Sequence, residues 1–379
     1  MELRLCLAVF MLLTAVLAAE ESAITRAANR EFPSVFQAWN GATNKSEDPE
    51  KTLARHDLFF GMLGDRWEGN FEGLGTKLTP ESIKYTLEKR IRLLKMNPNM
   101  IFIREIRYRD AHISYLPEDS AFWKREKSGE KAAGWDEGGY FLLAYEKPDF
   151  ISVAAVQAKA AVESGIYDGI FLDWWQDDAE RIKLLQAVRE AIGQDKLILL
   201  NANNRKVPES AKYANGLFQE GFRSTWWTDW EAAADCMIWA EKNMRAPKIN
   251  CFEAWYKDRK LKRNEVEVMR AVTAMALTFS DGYILFADPN PLMTPDHLHD
   301  WYDFWDKSLG KAAGAPAAVK NSDGTYSREF EKGTVIYNPD KNKVAVIKFK
   351  EKRKSVADGV EGFEFQLKSP DGGIYLKKE

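Results

Sequence analysis

Cysteine and histidine are scarce in this chain, three of the first and four of the second among 379 residues. Cys6 falls in the N-terminal apolar run, which leaves Cys236 and Cys251, and two residues make no disulfide framework. Both stand beside apolar neighbours and read as buried thiols, with pairing permitted and not implied. Of the histidines only His297 and His299 are close together, in TPDHLHDWYDFW. That stretch reads as a helix start, where residues two apart point to different faces. His56, His112, His297 and His299 are therefore read as surface or packing residues, and no metal site is expected. No Gly-rich fingerprint follows the first strand, which removes the dinucleotide reading. SDGYILFADPNP supplies no phosphate-binding loop, and a Ser-His-acid triad lacks its nucleophile elbow. No cofactor is expected. Basic and acidic residues nearly cancel, 54 against 57, so no electrostatic case for nucleic acid exists.

Long apolar runs are also missing after the first residues, MELRLCLAVFMLLTAVLAAEESA. There Arg4 is the positive start, Leu5 to Leu17 the apolar core, and Ala18-Ala19 ends a small-residue cleavage site. The run falls short of the roughly 20 residues a membrane span needs. A signal peptide over residues 1–19 is expected, with the mature protein secreted or periplasmic and free of the membrane. Asn44-Lys45-Ser46 matches a glycosylation sequon, relevant in a host that glycosylates.

Aromatic residues are abundant. Thirteen tryptophans exceed what a core alone needs, and aromatic surfaces that hold flat, partly apolar ligands are one outlet for them. Short apolar runs recur along the chain: PSVFQAW, HDLFFGML, MIFIREI, DGIFLD, KLILLN, NGLFQE, KINCFEAW and DGYILFAD. Helical patterns separate most of them, over Ser82–Asn97, Phe150–Ser164, Asp178–Ile192 and Glu265–Phe279. Near-continuous apolar strands alternating with helices are the mark of a parallel βαβ series. Eight such units in roughly 250 residues suit a (β/α)8 TIM barrel, here residues 31–316. The segment from Arg107 to Lys147 is too long for a connector and is a candidate functional loop. After AAGAPAA, residues 318–379 read as a small C-terminal antiparallel β domain.

A barrel of this kind points every strand's C-terminal end at one face, where active sites are built. The strand ends collect Gln37, Trp39, Arg104, Glu105, Asp173, Asn201, Glu220, Glu253 and Asp288. YDGIFLDWW and NGLFQEGF share a layout that brings Asp173 and Glu220 to the same end of strands four and six. A pair of carboxylates about 5–10 Å apart is what glycosidic-bond hydrolysis requires. Trp174, Trp175, Trp226, Trp227 and Trp230 fall on the loops directly after the two acids, and indole faces stack on the C–H faces of sugars. On this reading Asn201 keeps Asp173 ionised as nucleophile or base, Glu220 is the general acid, and Glu253 orients the site or takes the acid role itself. Arg104 is a counter-charge or a ligand contact. Asp177 and Asp178 cap the next helix.

At YDGIFLDWW, LILLNANN, GLFQEGF, SDGYILFADPN and REFEKGTVIYNP the chain resembles hypothetical glycosyl hydrolase family 15, within the wider group around the endo-α-1,4-polygalactosaminidases. The resemblance runs from about Pro33 to Ile347. It implies a (β/α)8 barrel with acids on strands four and six, which fall on Asp173 and Glu220, and a small β domain behind it. The expected protein is a monomeric, secreted glycoside hydrolase acting on a poly- or oligosaccharide. The alternative is a barrel that binds carbohydrate without catalysis.

Overall fold

The computed structural model describes residues 21–40, 47–223, 227–255, 266–287, 297–299, 301–306, 308–316, 320–339 and 343–378. The expected signal peptide and Asn44 lie outside the described residues. The barrel begins with β1 (Phe36–Ala38), β2 (Leu58–Phe60) and β3 (Ile101–Glu105). The long loop then folds an antiparallel pair, β4 (Asp110–His112) and β5 (Tyr140–Leu142), above the strand ends. The barrel resumes with β6 (Gly169–Leu172), β7 (Leu197–Asn201), β8 (Gly216–Arg223), β9 (Cys251–Trp255) and β10 (Tyr283–Ala287). These eight strands pair in parallel in chain order. A parallel bridge from Val35 to Ile284 joins the last to the first, with the Ile284 amide donating to the Ser34 carbonyl at 2.9 Å.

Among the described residues seven α-helices surround or underlie the barrel: α1 (Ala23–Asn29), α2 (Pro49–Ala54), α3 (Pro80–Met96), α4 (Pro148–Glu163), α5 (Ala179–Ile192), α6 (Trp227–Asn243) and α7 (Glu267–Phe279). Their starts follow local chemistry. Pro80 takes the first turn of α3 behind Thr79, whose hydroxyl accepts from the Ser82 amide. Asp178 caps α5 by accepting from the Arg181 amide at 2.9 Å, as the sequence indicated. Asp177 instead binds the Glu209 amide and the Ser210 hydroxyl. Two sequence expectations change here. WWTDW is not a loop, because Trp227 to Trp230 open α6. TPDHLHDWYDFW is not a helix start either: its described residues hold only a 3-10 turn at Asp303–Trp305.

Every described barrel-strand residue up to β7 is buried, as expected of strands covered on both faces. The interior is filled by Phe36, Phe60, Phe171 and Phe218, with ring centroids 4.6 to 6.1 Å apart. That aromatic plug closes the barrel from beneath and makes a dry floor. Below it, at the start of β6, buried Asp168 pairs with Arg26 and Arg90 and accepts the Phe102 amide at 2.9 Å. The two guanidinium groups hold its carboxyl below the usual range against the burial that would raise it. Cys236 and Cys251 are buried free thiols, as read from their neighbours.

The second sheet comprises β11 (Tyr326–Glu329), β12 (Gly333–Asn338), β13 (Ala345–Ser355), β14 (Glu361–Leu367) and β15 (Asp371–Lys377), antiparallel, in the order β11-β12-β15-β13-β14. Its inner strands lie on α7. Gly372 makes that approach possible, since a Cβ there would stand 2.2 Å from the Ala274 Cβ and 2.3 Å from the Arg270 carbonyl oxygen. Arg270 grips Asp371 through two bonds of 2.9 and 2.7 Å. Trp230 of α6 stacks on Tyr337 with centroids 5.9 Å apart.

Candidate active site

The strand ends of β1, β3, β6, β7, β8 and β9 converge above the phenylalanine plug. Asn201, the last residue of β7, stands between the two echoed acids. Its amide nitrogen donates to Asp173 Oδ1 at 2.7 Å and to Glu220 Oε2 at 2.6 Å. Its own Oδ1 accepts the Asn203 amide at 3.2 Å, which fixes the orientation of the amide. The two bound carboxylate oxygens can be no farther apart than the two bonds laid end to end, 5.3 Å. Glu220 reaches this point because the register of β8 with β9 shifts between Gln219 and Phe222, an irregularity of the kind that re-aims a side chain.

Glu253 of β9 is completely buried beside the pair. Its Oε2 lies 2.6 Å from His297 Nδ1, and His297 Nε2 lies 3.6 Å from Glu220 Oε1. Burial alone would lower the pKa of His297, but Glu253, then Glu220 and Asp173, hold it up at about 9. Asp173 moves in the same direction for a different reason. Burial, then the charges of Glu220 and Glu105, push it to about 8, while the Asn201 amide and the Trp174 backbone N–H pull the other way. The expectation that Asn201 keeps Asp173 ionised is therefore corrected for the ligand-free site. The two carboxyl groups meet on one amide, so the charge of Glu220 bears directly on Asp173.

Trp39 forms the wall beside the acids. Its indole N–H donates to Glu105 Oε2 at 2.9 Å, its ring meets Phe60, Phe171 and Phe218 edge-on, and its centroid is 4.7 Å from that of His297. Trp174 is the open aromatic face at the rim, 44% exposed, with the Arg109 guanidinium 4.3 Å over its ring and its carbonyl accepting from Tyr108 at 3.0 Å. Among the described residues four non-glycine residues have positive φ: Trp39 (44°), Trp174 (51°), Asn203 (51°) and His297 (59°). All four follow barrel strands at this face, and strain of that sort gathers where a site over-determines its side chains.

Other expected ligands are elsewhere. Trp175 is fully buried, its indole N–H donating to Ser210 Oγ at 2.8 Å, because alternation along the chain turns it away from Trp174. Trp230 is in the core on Tyr337. Arg104 is a counter-charge, held by Asp65 at 2.9 Å and Glu72 at 3.1 Å. Gln37 is buried within β1, with its amide directed to the Ala38 carbonyl. Trp226, Asp288 and the side chain of Trp227 lie outside the described residues. Sequence reasoning missed His297, dismissed with its helix, although its place just after the eighth strand was the available signal. His56 and His299 are buried packing residues, one of the two places the sequence reading allowed them. Among the described residues no three or more His, Cys, Asp or Glu side chains are grouped to hold a metal ion.

Residues 179–334 match the family model of hypothetical glycosyl hydrolase family 15, the family that the strand motifs resemble. The match takes in Glu220, Glu253 and His297 and begins just after Asp173. No curated protein matches the chain. Among solved structures, a maltogenic α-amylase from Thermotoga neapolitana is similar with a TM-score of 0.54 and 10% identity, over 91% of this chain and 97% of that one. An α-amylase from Geobacillus thermoleovorans, solved with acarbose, gives 0.53 and 10%, over 95% and 100%. A β-L-arabinopyranosidase from Geobacillus stearothermophilus, solved with arabinose, gives 0.54 and 10%, over 94% and 100%. At such identities the likeness establishes the shared barrel. Together with the family match, it makes the chain a candidate glycoside hydrolase.

Proposed function

We propose that this protein is a secreted glycoside hydrolase that cleaves a poly- or oligosaccharide by double displacement with Asp173 and Glu220. The observation that carries the reading is the Asn201 amide bound to both acids, which keeps their bound oxygens within 5.3 Å. Carboxyl groups about 5–5.5 Å apart act as nucleophile and acid/base, whereas inverting pairs stand farther apart to admit a water. The raised pKa of Asp173 supports a protonated carboxyl within the pair at neutral pH, which the first step needs.

In that step the ionised member of the pair attacks the anomeric carbon. The glycosidic C–O bond breaks, and the protonated member gives its proton to the departing oxygen. Water then attacks the same carbon and returns a proton to the acid/base, which releases the sugar and restores the pair. The phenylalanine floor and Trp39 exclude bulk water from beneath the reacting bond, where charge interactions are stronger for it. Trp174 offers an exposed indole face for a neighbouring sugar ring.

The test is a panel of polysaccharides incubated with the protein, reading reducing ends and the anomer formed first by proton NMR. The expected result is release from at least one polymer with retention of configuration. An inverted first product would overturn the double displacement, and binding without release would leave a carbohydrate-binding barrel. Export rests on the N-terminal sequence, and a mature terminus near Ala19 or Glu20 on protein from the native host is the expected finding. An intact Met1 would refute it.

A further inference from the structure

We infer that His297 is a positioning residue of the proposed reaction, clamped by buried Glu253 and facing Glu220 so that it fixes the Glu220 carboxylate within the pair. The inference rests on the double-displacement reading above. Each nitrogen of the ring meets a different carboxylate, Glu253 Oε2 at 2.6 Å and Glu220 Oε1 at 3.6 Å. Both nitrogens can face acids favourably only when both carry hydrogen, so the arrangement selects the imidazolium. A carboxylate buried as fully as Glu253 needs a compensating charge, and His297 supplies it. The charged groups facing the ring among the described residues are Glu253 from β9, Glu220 from β8 and, farther off, Asp173 after β6.

The consequence falls on Glu220. Asn201 holds Oε2 at 2.6 Å, and His297 stands at ion-pair distance from Oε1, so the plane of the carboxylate is set from both sides. His297 is itself held. Its ring lies against Trp39 and Phe218, with centroids 4.7 and 6.4 Å away. Its carbonyl is met by His299 Nδ1 at 3.2 Å, and His299 Nε2 lies 2.7 Å from His56 Nε2. That support sits at a residue with φ of 59°, in the left-handed region that few non-glycine residues occupy.

The test has a part that needs no substrate. With four histidines in the chain, the imidazole of His297 can be assigned in NMR spectra of labelled protein by comparison with His297→Gln. It should titrate near 9 in the wild type and at least about one unit lower in Glu253→Gln, which removes the clamping charge. On whichever polysaccharide the wild type hydrolyses, His297→Gln should lose about 100-fold in kcat with KM within about threefold. Removing a cation beside the pair makes its ionisation harder, so both limbs of the kcat/KM profile should move up by about one pH unit. A merely structural histidine would scale the profile without moving its limbs. His297 titrating at or below its ordinary value, or limbs that stay in place, would overturn the inference. A wild type inactive on every polymer would instead overturn the proposed function, and the titration would still decide the clamp.

Discussion

Replacing Asp173 by Asn should stabilise the fold at neutral pH and leave it unchanged in acid. The pKa of Asp173 rises from 3.8 in the unfolded chain to about 8 in the folded one. A carboxyl raised in this way favours the folded state most below 3.8, and that advantage declines as pH climbs toward 8. At about pH 6.5 the unfolded wild type gains by ionising Asp173, on the order of 4 kcal/mol at the full shift. Solvent contact at the mouth reduces this, and about half, roughly 2 kcal/mol, is a fair expectation. Asn has nothing to ionise and keeps an oxygen for the Asn201 amide. Spread over the unfolding entropy of a chain this long, 2 kcal/mol is about 2–3 °C in Tm. Thermal unfolding of both proteins at about pH 4 and pH 6.5 reads it. His297 does not confuse the comparison, since its contribution is fully present below 6.5 and is lost only toward 9. Equal Tm differences at the two pH values, or a less stable variant at pH 6.5, would refute the electrostatic account of the pair.

Trp174→Ala should weaken saccharide binding by about 1–3 kcal/mol with Tm nearly unchanged, while Trp175→Ala should cost about 3–5 kcal/mol of stability, because only the first ring faces solvent; calorimetry with a bound oligosaccharide and thermal melts separate the two. Asn201→Ala should cut kcat about 100-fold, since it frees both acids at once, and a loss confined to KM would contradict its bridging place. Gly372→Val should destabilise by about 2–3 kcal/mol, because its side chain would meet Ala274 and Arg270; an unchanged melt would mean that the sheet does not rest on α7.

The barrel was legible because strands covered on both faces must be apolar throughout, and KLILLN and DGYILFAD show it plainly. The pairing of Asp173 with Glu220 was legible for a related reason. An acid at the end of such a run has only the open strand face to occupy, and two runs with one layout place two acids alike. Burial direction at the loops was not legible. Trp174 and Trp175 are adjacent and identical in type, and nothing in the residue types says which one faces solvent. Trp230 read as a loop tryptophan because α6 begins within WWTDW and its partner, Tyr337, is more than a hundred residues away. His297 was hidden by a false helix: the apolar spacing of TPDHLHDWYDFW imitates helical periodicity, but its described residues hold only a 3-10 turn at Asp303–Trp305. The raised pKa of Asp173 comes from burial and then from the charges of Glu220 and Glu105, groups of three distant segments brought together, and no local pattern encodes it.

The central claim is that Asp173 and Glu220, joined by Asn201, perform the hydrolysis. It is tested most directly by single-turnover rates of wild type, Asp173→Asn and Glu220→Gln on a hydrolysed polysaccharide and on an aryl glycoside of the same sugar. The account predicts that both variants lose at least about 1,000-fold on the polysaccharide. It also predicts that one of them alone recovers on the aryl glycoside, whose departure needs no proton, which identifies the acid/base and leaves the other as nucleophile. Wild-type rates on the polysaccharide in either variant would contradict it.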